Sequence, residues 1–268
     1  MADASDARPG RSDKITFDTP HSARIWNYWM GGKDNYPVDR AAGDAFAATY
    51  PAISFQVKQS RQFLIRAVRF LAGECGVRQF MDVGTGLPTM ENTHEVAQSV
   101  APDSKIVYVD NDPLVLAHAR ALLTNTTPEG VTAYVDADIH DPDTVVADAR
   151  NILNFNQPIA VLFMGILGHV ADLEEARSIV SRIMAATVSG SYLVQWDSTN
   201  TSEARIQATA NYNKTGAVPY NLRSPEQIAR FYDGLDLLEP GVVSISRWRP
   251  AVDGVALADA YGAVARKP

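Results

Sequence analysis

Apolar positions along the chain follow two regimes. From residue 21 to 74 they recur at helical spacing, as in FQVKQSRQFLIRAVRFLAG, where Phe55, Phe63, Ile65, Val68 and Leu71 carry the apolar load. Gly73 and Gly76 then supply a helix stop. Beyond residue 75, short β-rich runs alternate with helical stretches, the pattern of a parallel sheet covered on both faces. This predicts strands at Gln79–Val83, Lys105–Asp110, 131–135, 159–164 and 191–196, with helices near 91–100, 113–123, 141–150 and 172–187. Three helix starts share one device, a capping side chain followed by proline: Asp112-Pro113, Asp141-Pro142 and Ser224-Pro225. Near the end, GVVSISRW and ALADAYGAVA are alternating runs separated by Pro250 and Gly254, which predicts an antiparallel pair closing the sheet. The first twenty residues have almost no large apolar side chains and cannot offset their own ordering entropy. The expected organisation is a mobile tail over 1–20, an N-terminal helical cap over 21–74 and an α/β domain over 75–268.

Composition narrows the function classes. A chain of 268 residues with 46% hydrophobic and 21% charged residues is globular. Its net charge of −7 argues against a nucleic-acid partner and favours a small molecule. No apolar leader opens the sequence, and the longest apolar run, 159–167, is about half the ~20 residues a membrane span needs. With Cys75 as the single cysteine, a reducing cytoplasmic setting is expected. The five histidines, at 21, 94, 118, 140 and 169, show no ligand-like pairing, so no metal is expected.

The densest chemistry lies in Phe80-Met81-Asp82-Val83-Gly84-Thr85-Gly86-Leu87-Pro88, a strand running into a glycine turn. Glycines there let backbone approach a ligand at the carboxyl end of the first strand. The next strand, IVYVDND, ends in Asp110, whose carboxylate suits two ribose hydroxyls. A dinucleotide fingerprint shares both features, but the third glycine of GxGxxG is absent, since Thr89 follows Pro88. Asp82 would also repel a pyrophosphate while tolerating a cationic sulfonium amino acid, which favours S-adenosylmethionine. In Asp136-Ala137-Asp138-Ile139-His140, Asp138 suits an adenine amino group and Ile139 its ring face; the same residues also read as an acidic loop before the Asp141 cap. After the fourth strand, Met164 and Gly165 sit beside the topological switch point, and His169 is the first candidate for a general base. A structural role for that histidine is the competing reading.

Together these residues make the chain resemble the class I S-adenosylmethionine-dependent methyltransferases, and more closely an actinobacterial methyltransferase family catalogued as DUF574. The resemblance rests on ARIWNYWMGGKDNYPVDRAAGD (23–44), QFMDVGTGLPT (79–89), VYVDNDPLVLAHARALL (107–123) and DADIHDP (136–142). It implies an α/β, Rossmann-like seven-stranded methyltransferase sheet under the helical cap, with S-adenosylmethionine above the carboxyl ends of the first strands. Asp82, Gly84, Thr85 and Gly86 would then flank the methionine part, Asp110 and Asn111 the ribose, and Asp138 and Ile139 the adenine, with Met164 and Gly165 completing the cofactor site. The signature Trp29-Met30-Gly31-Gly32-Lys33-Asp34-Asn35-Tyr36 suits a loop folded over the ligand, with Arg24, Tyr28 and Asn35 pointing inward. A packing loop that fastens the cap to the sheet is its alternative.

Methyl transfer from a sulfonium needs chiefly positioning and exclusion of water. An oxygen or nitrogen acceptor calls for a base: His169 first, then Tyr28, with Asp34 and Tyr212 behind them. The segment 199–220, with Arg205, Tyr212, Asn213 and Tyr220, suits an aromatic acceptor pocket and equally a surface helix and loop. A small-molecule methyltransferase is the leading expectation. A non-catalytic regulatory protein that binds S-adenosylmethionine or S-adenosylhomocysteine stays open, as does a less favoured NAD-dependent oxidoreductase.

Overall fold

The computed structural model describes residues 17–88, 91–122 and 124–268. Three helices come first: α1 (Ser22–Trp29), α2 (Pro37–Thr49) and α3 (Ile53–Gly73). There follow β1 (Gln79–Val83), α4 (Thr93–Val100), β2 (Lys105–Asp110), α5 (Pro113–Leu122), β3 (Val131–Asp136), α6 (Pro142–Ala149), β4 (Ala160–Met164), α7 (Leu173–Ala186) and β5 (Tyr192–Ser198). The chain ends with α8 (Glu203–Tyr212), α9 (Pro225–Ala229), β6 (Asp236–Leu237), β7 (Val243–Ser244) and β8 (Ala260–Arg266). Most of the mobile-tail expectation falls on residues 1–16, outside the described residues.

The three cap–proline pairs act as read. Asp112 Oδ1 accepts from the Leu114 amide at 2.7 Å, Asp141 Oδ1 from the Thr144 amide at 3.2 Å, and Ser224 Oγ from the Gln227 amide at 3.2 Å. Each satisfies a donor that a helix start otherwise leaves unpaired.

The sheet runs β3-β2-β1-β4-β5-β8-β6, with β7 also pairing β8. Among the described residues it has eight strands rather than seven. β1 to β5 are parallel and β8 is antiparallel to β5. The alternating run GVVSISRW contributes only two residues to pairing, and the two-residue β6 had no alternating signal at all. The reason is local: after Ser244 the chain turns, with the Arg247 amide bonded to the Ser244 carbonyl and Trp248 buried under α3 instead of on a strand.

Alternation sorts the strand side chains onto two faces. Phe80, Ile106, Leu162 and Val194 pack under α3 and α4, while Met81, Val107, Val161 and Leu193 pack against α6 and α7. A third cluster joins Ile25, Phe46, Ile53 and Val57 of α1 to α3 with Ala208 and Tyr212 of α8. The chain crosses from β3 back over β1 to β4, so the order reverses at the β1–β4 junction. Open parallel sheets bind ligands outside the carboxyl ends of such strands.

Candidate active site

A cavity of about 320 Å³ opens over the carboxyl ends of β1, β2, β4 and β5, beneath α1 and α8. The β1 turn builds its floor. Gly84 and Gly86 have φ of +74° and +66°, where a side chain is strained. A Cβ on Gly84 would stand 2.3 Å from Ile166 Cγ1, so the turn and the β4 loop approach too closely for any other residue. A Cβ on Gly86 meets nothing within 4 Å, because the space beside it belongs to the cavity.

Two acids stand at this floor. Asp110 accepts from the Gly86 amide through Oδ2 and from the Asp112 amide through Oδ1, both at 2.9 Å. These donors fix the carboxylate at the end of β2 and leave lone pairs for a diol. Burial pushes its pKa up against the pull of the two amides. Asp82 lies on the α3 side of the sheet, where the Thr93 hydroxyl donates to Oδ2 at 2.6 Å. Burial raises its pKa to about 6, opposed by the Thr93 hydrogen bond and the Arg61 charge. Arg61 reaches the same cavity from α3, and its own pKa is lowered by burial. Nearby, Asp138 Oδ2 accepts from Asn111 Nδ2 at 3.0 Å and Oδ1 from the His140 amide at 2.9 Å, beside Ile139.

The β4 and β5 side of the cavity is aromatic. Trp26 of α1 lies 5.9 Å from Trp196 at a 31° tilt, with Trp29, Phe46, Tyr212 and Tyr220 also lining it. His169 sits in the single turn after β4. The Pro219 carbonyl lies 2.9 Å from its Nδ1, so Nδ1 carries the proton and Nε2 the lone pair. Burial lowers its pKa below the ordinary imidazole value. Beneath this turn Asp197, pushed up to about 6 by burial, accepts from the Gly168 amide, the Tyr220 hydroxyl and Arg223 Nη1 at 3.0 to 3.2 Å. That buried cluster sets the shape of the β4 and β5 loops.

The cavity thus brings together Asp82, Gly84, Thr85, Gly86, Asp110, Asn111, Asp138, Ile139, Met164, Gly165 and His169. Arg24, Tyr28 and Asn35 are not among the residues lining it. Arg24 makes a buried ion pair with Asp39 at 2.9 Å, and Asn35 Nδ2 donates to Asn27 Oδ1 at 3.0 Å and to the Gly32 carbonyl at 2.9 Å. Tyr28 donates to Asp44 at 2.7 Å, and that hydrogen bond raises its pKa, the wrong direction for a base. Arg24, Tyr28 and Asn35 are thus engaged by other residues of the cap, the arrangement that the packing reading expects. Asp34 likewise points away, 3.9 Å from His118, while Tyr212 lines the cavity with its hydroxyl given to the Val218 carbonyl. From the 199–220 segment Arg205 and Tyr220 also line the cavity, and Asn213 holds Tyr220 through both of its backbone groups. Arg61, Thr93 and Trp196 carried no local signal; they converge only because α3, α4 and β5 pack around β1.

The family model described as S-adenosyl methyltransferase matches residues 8–268. The chain belongs to the S-adenosyl methyltransferase family. A DUF574 family protein from Streptomyces avermitilis is 43% identical over 94% of this chain and 99% of its own, with a TM-score of 0.89. A protein from Thermobifida fusca assigned as a methyltransferase is 37% identical over 94% of this chain and 96% of its own, with a TM-score of 0.86. Human N-acetylserotonin methyltransferase, crystallised with S-adenosylmethionine, shares the fold at 13% identity, a TM-score of 0.51, and 92% and 63% coverage of the two chains. No curated protein sequence matches the chain. As a member of this family the protein is an S-adenosylmethionine-dependent methyltransferase. The residues present fit that cofactor: the open face of Gly86, the fixed carboxylate of Asp110 and the buried acid Asp82 offer a backbone cradle, a diol acceptor and a partner for an ammonium. Among the described residues no helix is long and apolar enough to cross a membrane.

Proposed function

We propose that the protein methylates an oxygen or nitrogen nucleophile of a small molecule, with Asp82, Gly84, Thr85 and Gly86 around the methionine part of the cofactor. Asp110 and Asn111 take the ribose, Asp138 and Ile139 the adenine, and Met164 and Gly165 the β4 side. The observation that carries this reading is that one cavity is lined both by the acid-and-glycine floor and by an aromatic wall with His169. When bound, S-adenosylmethionine supplies a methyl group on a cationic sulfonium whose departing sulfur becomes a neutral thioether. The chain's part is to align the acceptor lone pair with that methyl, keep water out behind aromatic side chains, and receive the acceptor's proton at His169 Nε2. Calorimetry with S-adenosylmethionine, S-adenosylhomocysteine and NAD tests the cofactor assignment. Binding of the first two and not the third is expected, and Asp110→Ala abolishes it; retained affinity in that variant would refute the ribose assignment.

A further inference from the structure

The aromatic half of the cavity holds a buried cation whose hydrogen bonds are incomplete. Arg205 of α8 lines the cavity and is 5% exposed. Its Nη2 donates to Ser198 Oγ at the end of β5, at 2.8 Å, and its guanidinium lies 5.0 Å from the Phe46 ring centre and 5.4 Å from that of Tyr50. Its Nε and Nη1 are buried and reach no acceptor. No carboxylate pairs with it among the described residues. Asp259 is engaged by the Tyr50 hydroxyl at 2.8 Å and acts on Arg205 through its charge alone, without an ion-pair contact. Two further donors share this situation. Thr209 Oγ1, one helical turn beyond Arg205 on the same face of α8, and Trp196 Nε1 are buried without partners, and both residues line the cavity.

Packing alone does not account for this arrangement. A cation held only for its stem and its ring contacts gains nothing from unpaired N–H groups, whereas a planar guanidinium is matched to a carboxylate, which accepts two parallel hydrogen bonds. The flanking rings of Trp26, Trp29 and Phe46 suit a flat apolar body. We propose that Arg205, with Thr209 beside it, recognises a carboxylate on the methyl acceptor, and that the acceptor is an aromatic carboxylic acid bearing a nucleophilic hydroxyl or amine. The proposal rests on the methyltransferase reading above and narrows its acceptor class.

The test uses the full chain saturated with S-adenosylhomocysteine, titrated with 4-hydroxybenzoate, 4-hydroxycinnamate and indole-3-acetate and with the primary amide of each. At least one acid is expected to bind ten times or more tightly than its amide in the wild type. That preference disappears in Arg205→Met and survives in part in Arg205→Lys, while S-adenosylhomocysteine affinity, which reports an intact fold, stays within about twofold. Equal binding of every acid and amide by the wild type, no binding of any acid, or an acid preference that survives Arg205→Met would overturn the proposal. Failure of S-adenosylhomocysteine itself to bind the wild type would instead overturn the cofactor assignment, so the two failures are separable.

Discussion

Asp82 carries a charge question that the proposed cofactor role answers. Its folded pKa, raised to about 6, exceeds that of a free carboxyl, so the protonated form favours the native state at low pH. That contribution is full below the unfolded value and is lost as pH rises through about 6. A cofactor ammonium reverses the preference by favouring the carboxylate. Binding of S-adenosylmethionine at pH 6 is therefore expected to release protons, read from calorimetry in buffers of different ionisation enthalpy, and to release almost none at pH 8 or in Asp82→Asn. His169 has the opposite displacement. Its lowered pKa keeps Nε2 free well into mildly acidic conditions, so the acid limb of kcat/KM is expected below the ordinary imidazole value of about 6.5. His169→Gln should spare S-adenosylhomocysteine binding and lower turnover by about 10²- to 10⁴-fold. An acid limb unchanged in that variant would assign the base elsewhere.

The helical cap is held by a buried ion pair, and breaking one partner leaves the other charge stranded. Asp39 accepts not only from Arg24 but from the backbone amides of His21 and Tyr36, so one carboxylate ties α1 to the start of α2. Arg24→Met is expected to cost about 3–5 kcal/mol in urea unfolding. Tyr28→Phe, whose hydroxyl meets Asp44 at the surface, should leave S-adenosylhomocysteine affinity unchanged. In the β1 turn, Gly84→Ala combines a positive φ with a 2.3 Å approach to Ile166, and it is expected to lower both thermal stability and cofactor affinity.

Fold and ligand are coupled because the cavity lies between the sheet ends and the helices above them. At about a hundred times its dissociation constant, S-adenosylhomocysteine stabilises the native chain by about 2.7 kcal/mol, a rise in Tm of roughly 5–10 °C for a chain of this length. Asp110→Ala should show no such rise. Parallel strands were legible as contiguous apolar runs because both of their faces are buried, and the helix starts because a cap and a proline act within four residues. The floor of the site was legible for a related reason: the glycine turn and Asp110 sit at strand ends, where backbone demands leave a local mark. The 29–36 loop was ambiguous because the same glycines and polar side chains serve a ligand or one another, and only the tertiary structure gives the partners of Arg24 and Asn35. β6 and β7 were invisible or overextended since two residues are too few for an alternation. The rest of the cavity lining lies at the far end of that range. Arg61, Trp196, Arg205 and Thr209 come from α3, β5 and α8, and their shared cavity follows from how those elements pack, a long-range property that no local window of residues records.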